Sequence, residues 1–350
     1  MNRSRPSRRI ARRFGFAALA LVLFVLGLNV LALAGELVVY GTIYVADRPY
    51  GLYEPGLRPR LKPGASLPGL WYSIHVGPMG FRAPNPDLSR TDTTRVWCLG
   101  GSTTFDIYAP DDASAWPARL PALLGGALGP VEVVNAGIPG EVLAGNLDSF
   151  REWSTKVHPR FVVIYQGPNE LRRLAGATPP MGLAGNPWLG ALPIMQVLER
   201  ARPQLSPPEM AFSTRRIAAV ELDQLEAQLV RAVDEVQAAG AQPILATHAL
   251  RAARGEAGED LRRDIGEAAV LLGLSPSATL AAFEGYNDRI RKVAQERGLP
   301  LADVRGAVGP DPANWGDATH FLAPGSALAA AEVARAILSV SLPASAGTSR

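Results

Sequence analysis

The chain reads as an α/β protein, a three-layer α/β/α sandwich around a central parallel sheet, preceded by one membrane-spanning helix. Three observations predict this. Short, mostly apolar runs alternate with amphipathic stretches from residue 95 onward; most intervals between them can hold a crossover helix; and an apolar run stands near the N-terminus behind a cluster of arginines. Continuous apolar runs of strand length are what a parallel sheet buried on both faces requires, whereas a one-sided sheet gives alternation.

The apolar run at 14–34 is interrupted only by glycines and Asn29. About 20 such residues cross a bilayer, and the flanking arginines predict that residues 1–13 form a cytoplasmic tail with the rest of the chain outside. Ala32-Leu33-Ala34 also fits a signal-peptidase site, so a domain secreted after cleavage behind Ala34 is the rival expectation. An uncleaved signal-anchor is favoured because the run exceeds the usual secretory length.

The formal net charge of +3 comes from that tail: six of the 35 Lys and Arg residues are Arg3, Arg5, Arg8, Arg9, Arg12 and Arg13, leaving 29 against 32 Asp and Glu. A slightly acidic body argues against a nucleic-acid surface, which needs a basic stripe. With 47% apolar and 19% charged residues, the chain suits one main domain with appendages. The single cysteine, Cys98, has no partner for a disulfide or thiolate metal site, and its neighbours Val96, Trp97 and Leu99 predict a buried strand thiol.

Residues 47–94 are rich in proline and glycine and carry no helical period, which predicts a small loop-rich or β-hairpin lead-in. The main domain spans 95–342. Strands are expected at 96–99, 131–135, 161–165, 243–247 and 299–304, and the clearest helices at 217–239, 279–297 and 326–338. An irregular insertion is expected near 172–215, and the segment near 251–275, charged and then apolar, is a second candidate insertion or lid.

In an open parallel sheet, ligands bind beyond the carboxyl ends of the strands. The first strand runs into Gly100-Gly101-Ser102-Thr103-Thr104, where glycines permit a tight turn and a hydroxyl falls at a helix start. A plain N-cap would look the same. The second strand ends in Asn135-Ala136-Gly137-Ile138-Pro139-Gly140-Glu141, where backbone N–H groups can approach a ligand. The third ends in Tyr165-Gln166-Gly167-Pro168-Asn169-Glu170; Asn169 can donate to a developing oxyanion or simply form the turn. Near the C-terminus, Asp317 precedes His320 by three residues, close enough to accept its Nδ1–H and free Nε2 as a base, or to make an ordinary loop hydrogen bond. His75 and His158 follow no strand end and are read as structural. His248 follows the fourth strand without a neighbouring carboxylate.

Taken in this order, Gly100 to Thr104, Asn135 to Gly140, Gly167-x-Asn169 and Asp317-x-x-His320 resemble blocks I, II, III and V of the SGNH/GDSL hydrolases. The resemblance implies Ser102 as nucleophile, His320 as base oriented by Asp317, and an oxyanion hole made by the backbone N–H groups of Ser102 and Gly140 with the Asn169 amide. It implies two-step hydrolysis of carboxylic esters without a metal or cofactor. Gly101 replaces the Asp of the GDS form and Glu170 stands where many members carry Asp, a pattern similar to bacterial relatives of the GGST type. The α/β-hydrolase elbow G-x-S-x-G is absent.

The same constellation could pass its acyl group to a sugar hydroxyl, making an acyltransferase for a cell-envelope polysaccharide. A catalytically silent, membrane-tethered assembly protein is the reading from a different class. Expected partners are the membrane and an ester substrate, an acylated glycan or a lipid; Trp153, Trp188 and Trp315 are candidate sugar-stacking faces.

Overall fold

The structure, a computed structural model of the chain, describes residues 8–40, 44–45, 48–49, 52–54, 60–68, 72–176, 193–195, 197–198 and 215–341. In chain order it comprises α1 (Arg8–Tyr40), β1 (Tyr44–Val45), β2 (Arg48–Pro49), β3 (Ser66–Pro68), β4 (Ser73–His75), β5 (Thr94–Gly100), α2 (Ser102–Phe105), α3 (Trp116–Leu128), β6 (Val131–Gly137), α4 (Leu143–Val157), β7 (Phe161–Tyr165) and α5 (Pro168–Ala175). After residue 214 follow α6 (Ala219–Ala238), β8 (Gln242–Ala246), α7 (Gly258–Leu272), α8 (Pro276–Glu296), β9 (Leu301–Ala302), α9 (Val304–Val308) and α10 (Ala323–Ser341).

Helix α1 outruns the apolar stretch at both ends, since no proline interrupts either flank and arginine is a good helix former. Its portion Arg13–Val38 has a mean hydropathy of 2.7 and is long and apolar enough to cross a membrane. Phe14, Phe16, Leu23, Phe24, Val30 and Leu31 point away from the rest of the protein. The one polar side chain that interrupts the apolar run, Asn29, donates to the carbonyl of Val25 one turn back (2.7 Å).

Strands β5 to β9 form one five-stranded sheet in the order β6-β5-β7-β8-β9, every pair parallel. The period-2 geometry of a strand splits each apolar run between two cores. Trp97, Leu99, Val134, Ala136, Val162, Ile164 and Leu245 pack on one side with α4, α6, α7 and α8. Val96, Cys98, Val133, Val163, Tyr165, Ile244 and Ala246 pack on the other with α3 and α10. Trp97 meets Phe81 and Phe150 edge-on, with centroids 5.1 and 5.7 Å away; such pairs add about 0.5–1.5 kcal/mol each beyond burial. Cys98 is fully buried, as its apolar neighbours imply.

Two differences from the sequence reading have local causes. The fifth strand, expected over 299–304, shortens to two residues because Val304 already begins α9 behind Asp303. The segment at 251–275 contributes α7, whose Leu261, Ile265 and Leu272 lie in the core; its charged residues are the outer face of an amphipathic helix. Most of 172–215, including Trp188, lies outside the described residues.

The lead-in places β3 antiparallel to β4, and Leu52, Leu61, Leu67, Ile74 and Val76 close over Phe105, the last residue of α2. Fully buried Arg82 extends this attachment: its guanidinium donates to the carbonyls of Phe105, Asp106, Ala109 and Asp111 and to the Asp112 carboxylate. The loop behind α2 is thereby held from outside the sheet. The chain leaves β5 for β6 on one side and returns to β7 on the other, so the crevice at the carboxyl ends of β5 and β7 is where a ligand site is expected.

Candidate active site

Ser102 is the first residue of α2 and stands at the end of β5. Gly100 and Gly101 make that placement sterically feasible. A Cβ on Gly100 would collide with the Tyr165 carbonyl and Thr104 Oγ1, and one on Gly101 would lie 2.7 Å from the Asn169 amide nitrogen. Thr104 Oγ1 donates to that Tyr165 carbonyl (3.0 Å), and the Trp116 indole donates to the carbonyl of Thr103 (3.0 Å). One turn of helix is thus tied to α3 and to β7.

His320 comes from a loop closed by an antiparallel bridge between Trp315 and Phe321, with the Gly316 N–H donating to the His320 carbonyl (2.9 Å). Asp317 Oδ1 accepts the backbone N–H groups of Thr319 and His320, each at 2.8 Å. Its Oδ2 stands 2.7 Å from His320 Nδ1, and His320 Nε2 stands 2.7 Å from Ser102 Oγ. Burial alone would disfavour the imidazolium, but the Asp317 charge and hydrogen bond, with Asp106 and Glu267 farther off, leave the His320 pKa above its ordinary value. Burial likewise pushes Asp317 upward, yet the facing imidazolium and the hydrogen bonds it accepts hold its carboxyl well below the usual range.

The third part of the site is the turn after β6. Glu141 N–H donates to the Ile138 carbonyl (3.0 Å) across Pro139 and Gly140, and Gly140 has φ +82°, a left-handed conformation that glycine adopts without strain. Three side chains, Gln166 after β7 and Asn169 and Glu170 in the first turn of α5, clasp this turn. Gln166 and Asn169 both donate to the Glu141 carbonyl at 2.8 Å, and Glu170 Oε1 accepts the Leu143 N–H at 2.6 Å. Asn146 in turn donates to Gln166 Oε1 (3.2 Å). One Asn169 N–H is therefore used to hold the turn, and the other has no acceptor among the described residues. The N–H groups of Ser102 and Gly140 donate to no acceptor among the described residues.

Sequence reasoning named Ser102, Gly140, Asn169, Asp317 and His320, and the structure gathers the Ser-His-Asp set into hydrogen-bonding contact and brings the Asn169 amide against Gly101. It missed Gln166 and Glu170 as clasps, though both flank the Gly167-x-Asn169 motif. It also missed Asp106, a buried carboxylate that accepts Trp116 N–H (2.8 Å) and Ser326 Oγ–H (2.7 Å) and so fastens α2 to α3 and α10. Burial, partly offset by those donors and by Arg82 and His320, pushes Asp106 up to about 6. His248 is fully buried, stacked on Tyr165 at 4.9 Å and held down to about 3 by burial, so it is a neutral packing group. His75 pairs with Asp112, and His158 closes α4 with φ 48°. Trp315 is buried with its indole on the Gly309 carbonyl, and Trp153 lies under Lys156 against Phe81. Among the described residues no group of His, Cys, Asp and Glu is arranged to hold a metal ion.

A hydroxyl, an imidazole and a carboxylate in series, beside convergent amide donors at a strand end, form the arrangement that acyl transfer through a serine requires. A family model for the GDSL-like lipase/acylhydrolase family matches residues 98–328. The chain belongs to that family of ester hydrolases. Similar solved structures include a lipase/acylhydrolase from Enterococcus faecalis (17% identity, 70% of this chain and 95% of that one, TM-score 0.43). An acetylxylan esterase from Geobacillus stearothermophilus (18% identity, 70% and 94%, TM-score 0.43) and a GDSL-like lipase from Bacteroides thetaiotaomicron (17% identity, 73% and 92%, TM-score 0.41) are others. No curated protein matches the sequence.

Proposed function

We propose that the chain is a membrane-anchored serine esterase that removes acetyl or other short acyl groups from a polar alcohol at the extracytoplasmic face. The supporting observation is the unbroken hydrogen-bonded series from Asp317 through His320 to Ser102, with 2.7 Å at both joints. Ser102 Oγ attacks the ester carbonyl as His320 Nε2 takes its proton. The Ser102 and Gly140 N–H groups and the free Asn169 N–H stabilise the tetrahedral oxyanion. His320 then protonates the leaving alcohol, and water, activated by the same imidazole, releases the acid. Asp317 holds the tautomer that presents Nε2 and stabilises the imidazolium between the two transfers.

The cavity beside the oxyanion donors is small, open and of mixed character, lined by Gly140, Val142, Asn169, Arg172, Arg173 and Gly176, with a volume of about 270 Å³. Those walls suit a small acyl group on a glycan better than a long lipid chain. Helix α1, arginine-flanked on its N-terminal side, is the membrane anchor in this reading, with the site outside. Ester turnover is measured as acetate release from p-nitrophenyl acetate and acetylated glycans by the full chain in detergent. Ser102→Ala abolishes turnover if the reading holds; turnover equal to the parent protein removes it.

A further inference from the structure

The outward face of α5 carries more than the oxyanion amide. Asn169, Arg172, Arg173 and Gly176 stand at positions i, i+3, i+4 and i+7, one face of a helix, and all four line the cavity next to Gly140. The opposite face, with Glu170, Leu171 and Ala175, is buried. Arg173 also borders a second cavity of about 590 Å³, between α4, α5 and α6, whose walls include Gln224, Gln228 and Arg231. The two cavities share Val142 and Arg173, so they adjoin across the arginine.

Neither Arg172 nor Arg173 has an ion pair or side-chain hydrogen bond among the described residues, while two nearby arginines, Arg151 and Arg215, are engaged. Arg151 pairs with Asp148 and Glu235, and Arg215 pairs with Glu221 and donates to the carbonyls of Leu174 and Ala175. The last carbonyls of α5 are thus already capped by Arg215. Arg172 and Arg173 still oppose the helix dipole, a task that any basic residue performs on any face. Here both stand on the face that begins with Asn169, where a substrate held by its acyl group would extend.

We infer that Arg172 and Arg173 form an anion-recognising subsite, and that the alcohol portion of the substrate is an acidic glycan whose carboxylates they pair as it leaves the oxyanion hole toward the larger cavity. This rests on the esterase reading for the location of the acyl group. The glycan is preferred to an anionic lipid because Gln224, Gln228 and Arg231 break up the leucine-bearing walls beyond Arg173, where the carboxylates of Asp148 and Glu235 are already paired with Arg151.

The test compares acetylated polygalacturonate, which carries carboxylates, with acetylated xylan, on the full chain and on Arg172→Gln/Arg173→Gln. The subsite predicts that the ratio of kcat/KM for the acidic over the neutral polymer falls by about tenfold in the double variant, as expected for two partly exposed ion pairs. The fall resides in KM and shrinks in 1 M salt, where charges are screened beyond about 3 Å. An unchanged ratio, or equal losses on both polymers, overturns the inference. Binding of deacetylated polygalacturonate to Ser102→Ala, measured calorimetrically with and without the arginine substitutions, separates the two readings. Arginine-dependent binding supports the subsite even where the esterase reading fails, and binding indifferent to the arginines rejects it even where turnover is robust. Competition by glycerol phosphate but not by galacturonate oligomers would also overturn the assignment, in favour of a phosphate-bearing ligand.

Discussion

Glu170→Gln is a direct probe of how the turn after β6 is held, because the clasp includes a buried carboxylate. Glu170 is buried, its Oε1 accepts the Leu143 N–H, and its Oε2 has no hydrogen-bond partner among the described residues. Burial pushes its pKa from an ordinary 4.5 to about 7, against the opposing pull of the Leu143 N–H. A raised carboxyl pKa means that the native state keeps its proton after the unfolded state has lost it. Stability from this group is therefore complete below pH 4.5 and is lost as pH rises to about 7. At about 1.36 kcal/mol per pKa unit, the loss is about 3 kcal/mol. Glutamine keeps an acceptor for Leu143 but cannot titrate. Its unsatisfied amide N–H costs the same at every pH, so the informative quantity is the change with pH rather than the offset. Urea denaturation of both full-length proteins in detergent, at intervals from pH 4 to 8, should show the stability of Glu170→Gln rising by about 3 kcal/mol relative to the parent across this range. Parallel pH curves would refute the reasoning and show that Glu170 is charged, solvated or paired in the native state.

Three further outcomes are expected. Asn169→Ala should lower kcat by about 10²–10³-fold with KM for p-nitrophenyl acetate little changed, the usual effect of losing one oxyanion donor; a loss confined to KM contradicts the role assigned to the amide. Arg82→Leu leaves four carbonyls and the Asp112 carboxylate without their shared donor, and should cost about 3–5 kcal/mol in urea denaturation, whereas a change under about 1 kcal/mol would mean that water replaces it. Because Asp317 raises the His320 pKa and catalysis needs the neutral imidazole, kcat/KM should fall on the acid side with an apparent pKa above that of free histidine. In Asp317→Asn that limb should move to lower pH while the plateau drops on the order of 10⁴-fold, the loss seen when a triad imidazole is left in the wrong tautomer.

The elements legible in the sequence are those whose cause is local. Val96 to Leu99 and Phe161 to Tyr165 read as strands because both faces of the sheet are covered and every position is apolar. Ser102 and the Asp317–His320 pair read as a site because each follows from a strand end or from a spacing of three residues. The clasp on Glu141 was illegible for the opposite reason. Its acceptor is a backbone carbonyl, which carries no residue signature, and its donors lie 25 and 28 residues away. Arg82 is a fuller case. It stands in a segment without periodicity, and its partners, 23 to 30 residues on, are mostly carbonyls. The helix within 251–275 is hard to read because the charges of Glu259, Asp260, Arg262 and Arg263 stand out in the sequence. The spacing of Leu261, Ile265, Ala268 and Leu272 supplies the buried face.

Whether His320 activates the Ser102 hydroxyl is settled most directly by the rate at which a fluorophosphonate labels the protein, followed by peptide mass spectrometry. The geometry predicts a single adduct on Ser102, formed about 10²–10⁴-fold more slowly in His320→Ala at pH 8. Equal rates in the two proteins, or an adduct on another residue, would contradict the account at its centre.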